Sequence, residues 1–144
     1  MEMIPARVVR SVRLDVDRDE AWGLVGTAAG LSRWLGGDVE LDPTAGAALR
    51  IRDEEGVERL GTVVEIDDGR ALTFEWAADD GATSTVTFTV DDDGEGSRVT
   101  VVEEHAGGSI AACLDAGAAW EHRMLHLEVG ALSLRAAPAF ATLA

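Results

Sequence analysis

Lysine is absent from this 144-residue chain, whose twelve cationic side chains are all arginine. A Walker-type phosphate loop, a Schiff-base lysine and a pyridoxal-phosphate anchor each need an ε-amine, so those enzyme classes are excluded. Cysteine is reduced to Cys113, which rules out an intrachain disulfide. Positive charge is scarce as well. Twelve Lys+Arg against 27 Asp+Glu leave a formal net charge of −15, which repels a phosphate backbone or an anionic membrane surface. Neither nucleic acid nor a membrane is expected as a partner. No apolar run is long enough to span a bilayer and no charged-then-apolar leader opens the sequence, so a soluble cytoplasmic protein is expected.

What the chain does have is apolar surface. A hydrophobic fraction of 47% offsets the cost of ordering the backbone despite the charge. The length suits one domain over residues 1–144, with its core at about 7–135 and a tail at 136–144.

Acidic turn signals punctuate the middle: Asp67-Asp68-Gly69, Asp79-Asp80-Gly81 and Asp92-Asp93-Gly94, with a looser Asp53-Glu54-Glu55-Gly56 before them. Asp-Gly between alternating apolar residues marks a hairpin, because glycine accepts the positive φ that a tight turn demands. These aspartates are adjacent where a calcium loop alternates them, and the distal glutamate is missing. Between the turns, Leu72, Phe74 and Trp76 alternate with polar or small residues, as do Val86, Phe88 and Val90. The same period of two gives a first strand at about 7–16 with Val12, Leu14 and Val16 inward, and a short second strand through Val39 and Leu41. Leu49 and Ile51 mark a third strand, about 57–66 a fourth, and about 97–105 a seventh with Val99 and Val101 inward.

Helices interrupt this meander. Asp17 caps a short helix at about 18–26, and a second runs over about 28–35 through Leu31, Trp34 and Leu35 to Gly36-Gly37. A long one begins after Ser109 and runs to about 135, with Ile110, Cys113, Gly117, Trp120, Met124, Leu127, Ala131 and Leu134 on one stripe. The fold class is α+β: a seven-stranded antiparallel curved sheet gripping a long C-terminal helix, with two short helices between strands one and two. A one-sided sheet must cover its apolar face, and this helix is the one large cover available.

Several segments resemble a known family. They are Arg10 to Val16 followed by Asp19-Glu20-Ala21-Trp22, then Leu31-Ser32-Arg33-Trp34-Leu35, and Gly61 to Ile66 followed by Arg70 to Trp76. Ser97 to Glu103 and Ala119-Trp120-Glu121-His122 complete the set. Together they are similar to the START-like, helix-grip or SRPBCC superfamily and, within it, to the activator of heat-shock-protein-90 ATPase homologues. The resemblance implies a hydrophobic cavity between sheet and helix. In various relatives it implies lipid, hormone or polyketide binding, aromatase/cyclase chemistry, or co-chaperone action. The chain departs from the eukaryotic activator in being read as a lone domain. Many relatives carry a histidine near the end of strand seven, where this sequence reads Glu103-Glu104-His105.

Alternation from Val99 and Val101 places Glu103 on the inward face and His105 two residues beyond it. An inward carboxylate among apolar side chains is costly to ionise unless a cation or ligand meets it, which suits a general acid or base, or a polar anchor. The bland alternative ends strand seven near residue 102 and leaves both groups wet. His122 and His126 lie one helical turn apart but point away from the Trp120 stripe, so solvent exposure is expected and no metal site. Gly94-Glu95-Gly96 lacks the following helix of a dinucleotide fingerprint, and Ser109 reads as a helix cap. Cys113 reads as an inert buried hydrophobe.

The leading expectation is a non-catalytic protein that binds a small hydrophobic or aromatic molecule, without a cofactor. Its walls would be Trp34, Leu49, Ile51, Leu72, Phe74, Trp76, Phe88, Val99, Val101, Trp120, Met124 and Leu127, with Glu103 orienting the guest. A polyketide cyclase or dehydratase, with Glu103 or His105 moving a proton, is the alternative, followed by a co-chaperone-like interaction module. Leu114, Leu125, Val129 and Leu132 form a second apolar stripe, expected either to seat residues 136–144 or, preferably, to form a homodimer seam.

Overall fold

A computed structural model describes the backbone of residues 6–35, 37–52, 56–77, 83–105 and 110–142, with side chains described over 7–35, 37–52, 56–77, 83–105 and 116–132. The elements run β1 (Ala6–Leu14), α1 (Arg18–Val25), α2 (Ala28–Leu31), β2 (Asp38–Leu41), β3 (Ala48–Arg52), β4 (Glu58–Asp67), β5 (Ala71–Ala77), β6 (Thr83–Asp93), β7 (Gly96–His105) and α3 (Ile110–Thr142). The seven strands form one curved antiparallel sheet in the order β1-β7-β6-β5-β4-β3-β2. The meander thus extends unbroken from β2 to β7, and β1 closes on the far side of β7.

Register follows from the alternation. On the inward face Phe74, Val86, Glu103 and Val8 are successive cross-strand partners in one row, and Gly61, Trp76, Ser84, His105 and Ala6 form the next. Gly61 is required there, because a Cβ would run into the Glu75 carbonyl. The turn glycines Gly69 (φ 84°) and Gly94 (φ 63°) adopt the left-handed backbone that the Asp-Asp-Gly signals call for. The third such signal, at residues 79–81, lies outside the described residues.

The helices show why local patterns are not enough. Asp17 caps α1 as expected, its carboxylate accepting the Glu20 amide at 2.8 Å. The second helix, expected over 28–35, is instead a single turn, capped by Thr27 and ending at Leu31. One further hydrogen-bonded turn follows it to Leu35, whose amide donates to Leu31 O at 2.9 Å, but it is not regular helix. Ser32 ties this turn to β2, its hydroxyl donating to Ala28 O at 2.8 Å and accepting the Val39 amide at 3.0 Å. Gly30 lets α2 seat against α1, since a Cβ there would run into the Gly23 carbonyl. The backbone of α3 continues to Thr142, beyond the expected end near 135. Cys113, Leu114 and Leu134 fall in its undescribed side-chain portions, and Ser109 lies outside the described residues.

The core is one contiguous cluster drawn from every element, with Ala21, Leu24, Val25, Leu31, Phe74, Phe88, Trp120 and Leu127 all buried. Among the described residues no helix is long and apolar enough to cross a membrane. Phe88, fully buried, contacts the rings of Trp34, Phe74 and Trp120 at centroid separations of 5.5 to 5.7 Å. Phe88→Ala is expected to cost about 3–5 kcal/mol in urea unfolding, and a loss under about 1 kcal/mol would show that the aromatic cluster is not packed as described.

Candidate functional site

β7 does not stop at residue 102. It continues to His105, and its alternation carries Glu103 inward, where the residue keeps 3% of its surface exposed. A carboxylate in such a place must be met by donors, since leaving it bare costs several kcal/mol. Three neutral donors meet it, supplied by three different elements. Trp76 Nε1 of β5 donates to Oε2 at 2.8 Å and Ser84 Oγ of β6 donates to the same oxygen at 2.6 Å. Trp120 Nε1 of α3 donates to Oε1 at 2.8 Å. Trp76 Nε1 also reaches Ser84 Oγ at 2.9 Å, which joins the two donors of Oε2 into a triangle.

Two guanidinium groups stand behind the indoles. Arg59, on β4, lies over Trp76 at 4.6 Å from the ring centroid, and Arg123, one turn along α3 from Trp120, lies at 4.7 Å over Trp120 and 5.5 Å over Trp76. The two indoles are themselves stacked at 6.1 Å with planes 27° apart. Cations on the indole faces draw electron density from the rings and make the N–H groups better donors to the carboxylate. Positive charge is thus brought close to the buried carboxylate across the tryptophan rings. His105 closes this end of the sheet. Its Nε2 is buried with no hydrogen-bond partner among the described residues, 3.7 Å from Glu103 Oε1.

The structure gathers the expected wall residues into one body. Leu49, Ile51, Leu72, Phe74, Trp76, Phe88, Val99, Val101, Trp120, Met124 and Leu127 are each at most 5% exposed and belong to the same packed cluster. Trp34 joins it from the α2 side, with its N–H donated to the Leu24 carbonyl at 2.8 Å. Three concavities of the described surface lie at its edges, and of the wall residues only Met124 lines one of them, that between β1 and α3. One of about 490 Å³ sits between α1 and α2 over Gly23, Ala29 and Gly30, and one of about 280 Å³ lies between β1 and α3. A third, of about 70 Å³, adjoins Leu14 and Ala131. His122 and His126 are exposed with rings 4.5 Å apart, and the described residues contain no cluster of three or more metal-ligating groups.

Ser84, Arg59 and Arg123 were missed from sequence. The alternation of Val86, Phe88 and Val90 extends one step back to Ser84, and Arg123 follows Trp120 by three residues, so both had a signal. Arg59 had a weaker one, its cross-strand pairing with Ile51 on the inward face.

A curved antiparallel sheet closed by a C-terminal helix, with two short helices after β1, defines a helix-grip protein of the START-like kind. The chain belongs to the Activator of Hsp90 ATPase homolog 1-like protein family, whose model matches residues 15–128. Protein MLL2253 from Mesorhizobium loti shares the fold at a TM-score of 0.76 and 18% identity, over 86% of this chain and 95% of that one. DynU16, a protein from the dynemicin biosynthetic locus, superposes at 0.78 with 22% identity, over 85% of this chain and 46% of its own length. The Aha1 dimer from Colwellia psychrerythraea superposes at 0.70 with 12% identity, over 85% of this chain and 92% of that one. No curated protein matches the sequence.

Glu103→Leu strands three buried donors and is expected to cost about 3–5 kcal/mol of stability in urea unfolding. Ser84→Ala, which leaves both indole bonds in place, should cost about 1 kcal/mol. Equal losses in the two variants would contradict the network.

Proposed function

We propose that the protein binds a small apolar or aromatic molecule between the sheet and α3, and that Glu103 is the polar group that orients it. The observation that carries this reading is a buried carboxylate set at the end of an aromatic cluster and ringed by two stacked indoles. A ligand site of this type is mostly apolar with a few fixed polar groups. The wall side chains touch one another, so the guest enters by parting them, with Trp76 and Trp120 at the polar end. Three donors hold Glu103 as an acceptor, which suits an anchor better than a proton carrier. A structural neighbour from a biosynthetic locus adds support for a small-molecule role. The single cysteine and strong acidity favour a cytoplasmic setting.

A second reading concerns self-association. Leu125, Val129 and Leu132 lie on one side of α3 and are each about 60% exposed. A neighbour of the same fold is a dimer, and we propose a second copy of this chain as the occupant of that stripe. Each copy carries a charge of −15, so repulsion opposes the contact and salt should strengthen it.

Naphthalene is expected to shift the indole N–H resonances of Trp76 and Trp120 saturably, while that of Trp22, bonded to Asp68 near the surface, stays in place. Unmoved Trp76 and Trp120 signals at saturating probe would sink the binding reading. In light scattering, the dimer fraction should rise with salt and vanish in Leu125→Glu/Leu132→Glu, and a salt-independent monomer would remove the dimer.

A further inference from the structure

The two oxygens of Glu103 are not equally engaged. Oε2 accepts from Trp76 and Ser84, whereas Oε1 accepts only from Trp120 among the described residues. A carboxylate oxygen accommodates two donors, so Oε1 keeps an open acceptor position. Beside it stands the buried His105 Nε2, without a hydrogen-bond partner among the described residues and 3.7 Å away. That separation is too long for a hydrogen bond between them. It does suit a third atom, since an oxygen at about 2.8 Å from both is geometrically allowed. The His105 tautomer with the proton on Nε2 places an N–H dipole towards the carboxylate and is favoured there electrostatically. The pair then offers one donor and one acceptor to whatever lies between them.

A hydroxyl is the group that satisfies both, accepting from Nε2–H and donating to Oε1. An ether oxygen accepts but leaves Oε1 unmet, and an apolar atom leaves both unmet. We propose that His105 and Glu103 form a hydroxyl-selecting subsite, so that the guest is an aromatic alcohol or phenol whose O–H lies at the His105 end. This rests on the binding reading above and adds the class of ligand. The His105 side chain keeps 13% of its surface exposed, so this end of the cluster is the one nearest solvent. The guest's hydroxyl therefore lies at the polar end, between two buried atoms, and its apolar body against the indoles.

The test compares three probes of nearly equal shape on the full chain: 2-naphthol, 2-methoxynaphthalene and naphthalene. Affinities are read from the indole N–H resonances of Trp76 and Trp120. A hydrogen bond to a charged acceptor predicts that 2-naphthol binds about tenfold or more tightly than either other probe. In His105→Phe the preference, taken as the ratio of 2-naphthol to naphthalene affinity within that variant, should fall to about threefold or less. His105→Gln, which keeps a donor at that position, should recover part of it. Equal affinities for the three probes would overturn the hydroxyl subsite and leave the binding reading intact. A preference that survives in His105→Phe would overturn the assignment to His105. Failure of all three probes to move Trp76 and Trp120 would overturn both readings.

Discussion

One carboxylate joins the three parts of this molecule. Glu103 sits on β7 and receives hydrogen bonds from β5, β6 and α3, so the cover helix is tied to the sheet by a directional bond as well as by apolar contact. Apolar burial supplies most of the stabilisation but is non-directional, and it would tolerate a helix shifted along its axis. The bond from Trp120 Nε1 to Oε1 fixes the rotation and height of α3 on the sheet, much as a single polar contact sets register in other packed helices. Two indoles and their flanking arginines make the buried charge tolerable, and the same arrangement gives the interior one defined polar end.

The architecture was legible in the sequence because it rests on patterns that survive tertiary context. Alternation in β5 and β6 named Leu72, Phe74, Trp76 and Phe88 correctly as inward residues, and Asp-Asp-Gly signals placed turns at Gly69 and Gly94. The stripe on α3 put Trp120, Met124 and Leu127 against the sheet. The second helix was read in the right place but too long, since its regular part ends at Leu31 and residues 32–35 form only a hydrogen-bonded turn, tied to β2 by a Ser32 bond seven positions on that helix propensity does not see. Residues 7–16 were read as one strand, yet β1 ends at Leu14 while Val16 stays buried and its carbonyl accepts from Ser97 at 2.9 Å.

The candidate site was half legible. Period-two alternation alone delivered Glu103 and its neighbour His105. It did not reveal that the donors would be indole N–H groups, because Trp76 and Trp120 read as walls by size and face, not by where their nitrogen points. Arg59 and Arg123 had a signal in their positions but none for their place over Trp76, because an arginine over that ring is a relation between distant segments. The space between sheet and helix likewise depends on volumes that periodicity does not carry, and the wall residues are packed against one another.

The central claim is that Glu103 and Trp120 are energetically coupled and thereby hold α3 in place. A double-mutant cycle of Glu103→Leu with Trp120→Phe measures that coupling, since the first change deletes the acceptor and the second deletes the N–H while keeping an aromatic ring. A coupling of about 1 kcal/mol or more in urea unfolding is the expected result. Strictly additive losses would show that the carboxylate does not lock the helix, which apolar packing and the Arg10–Glu121 bond would then hold.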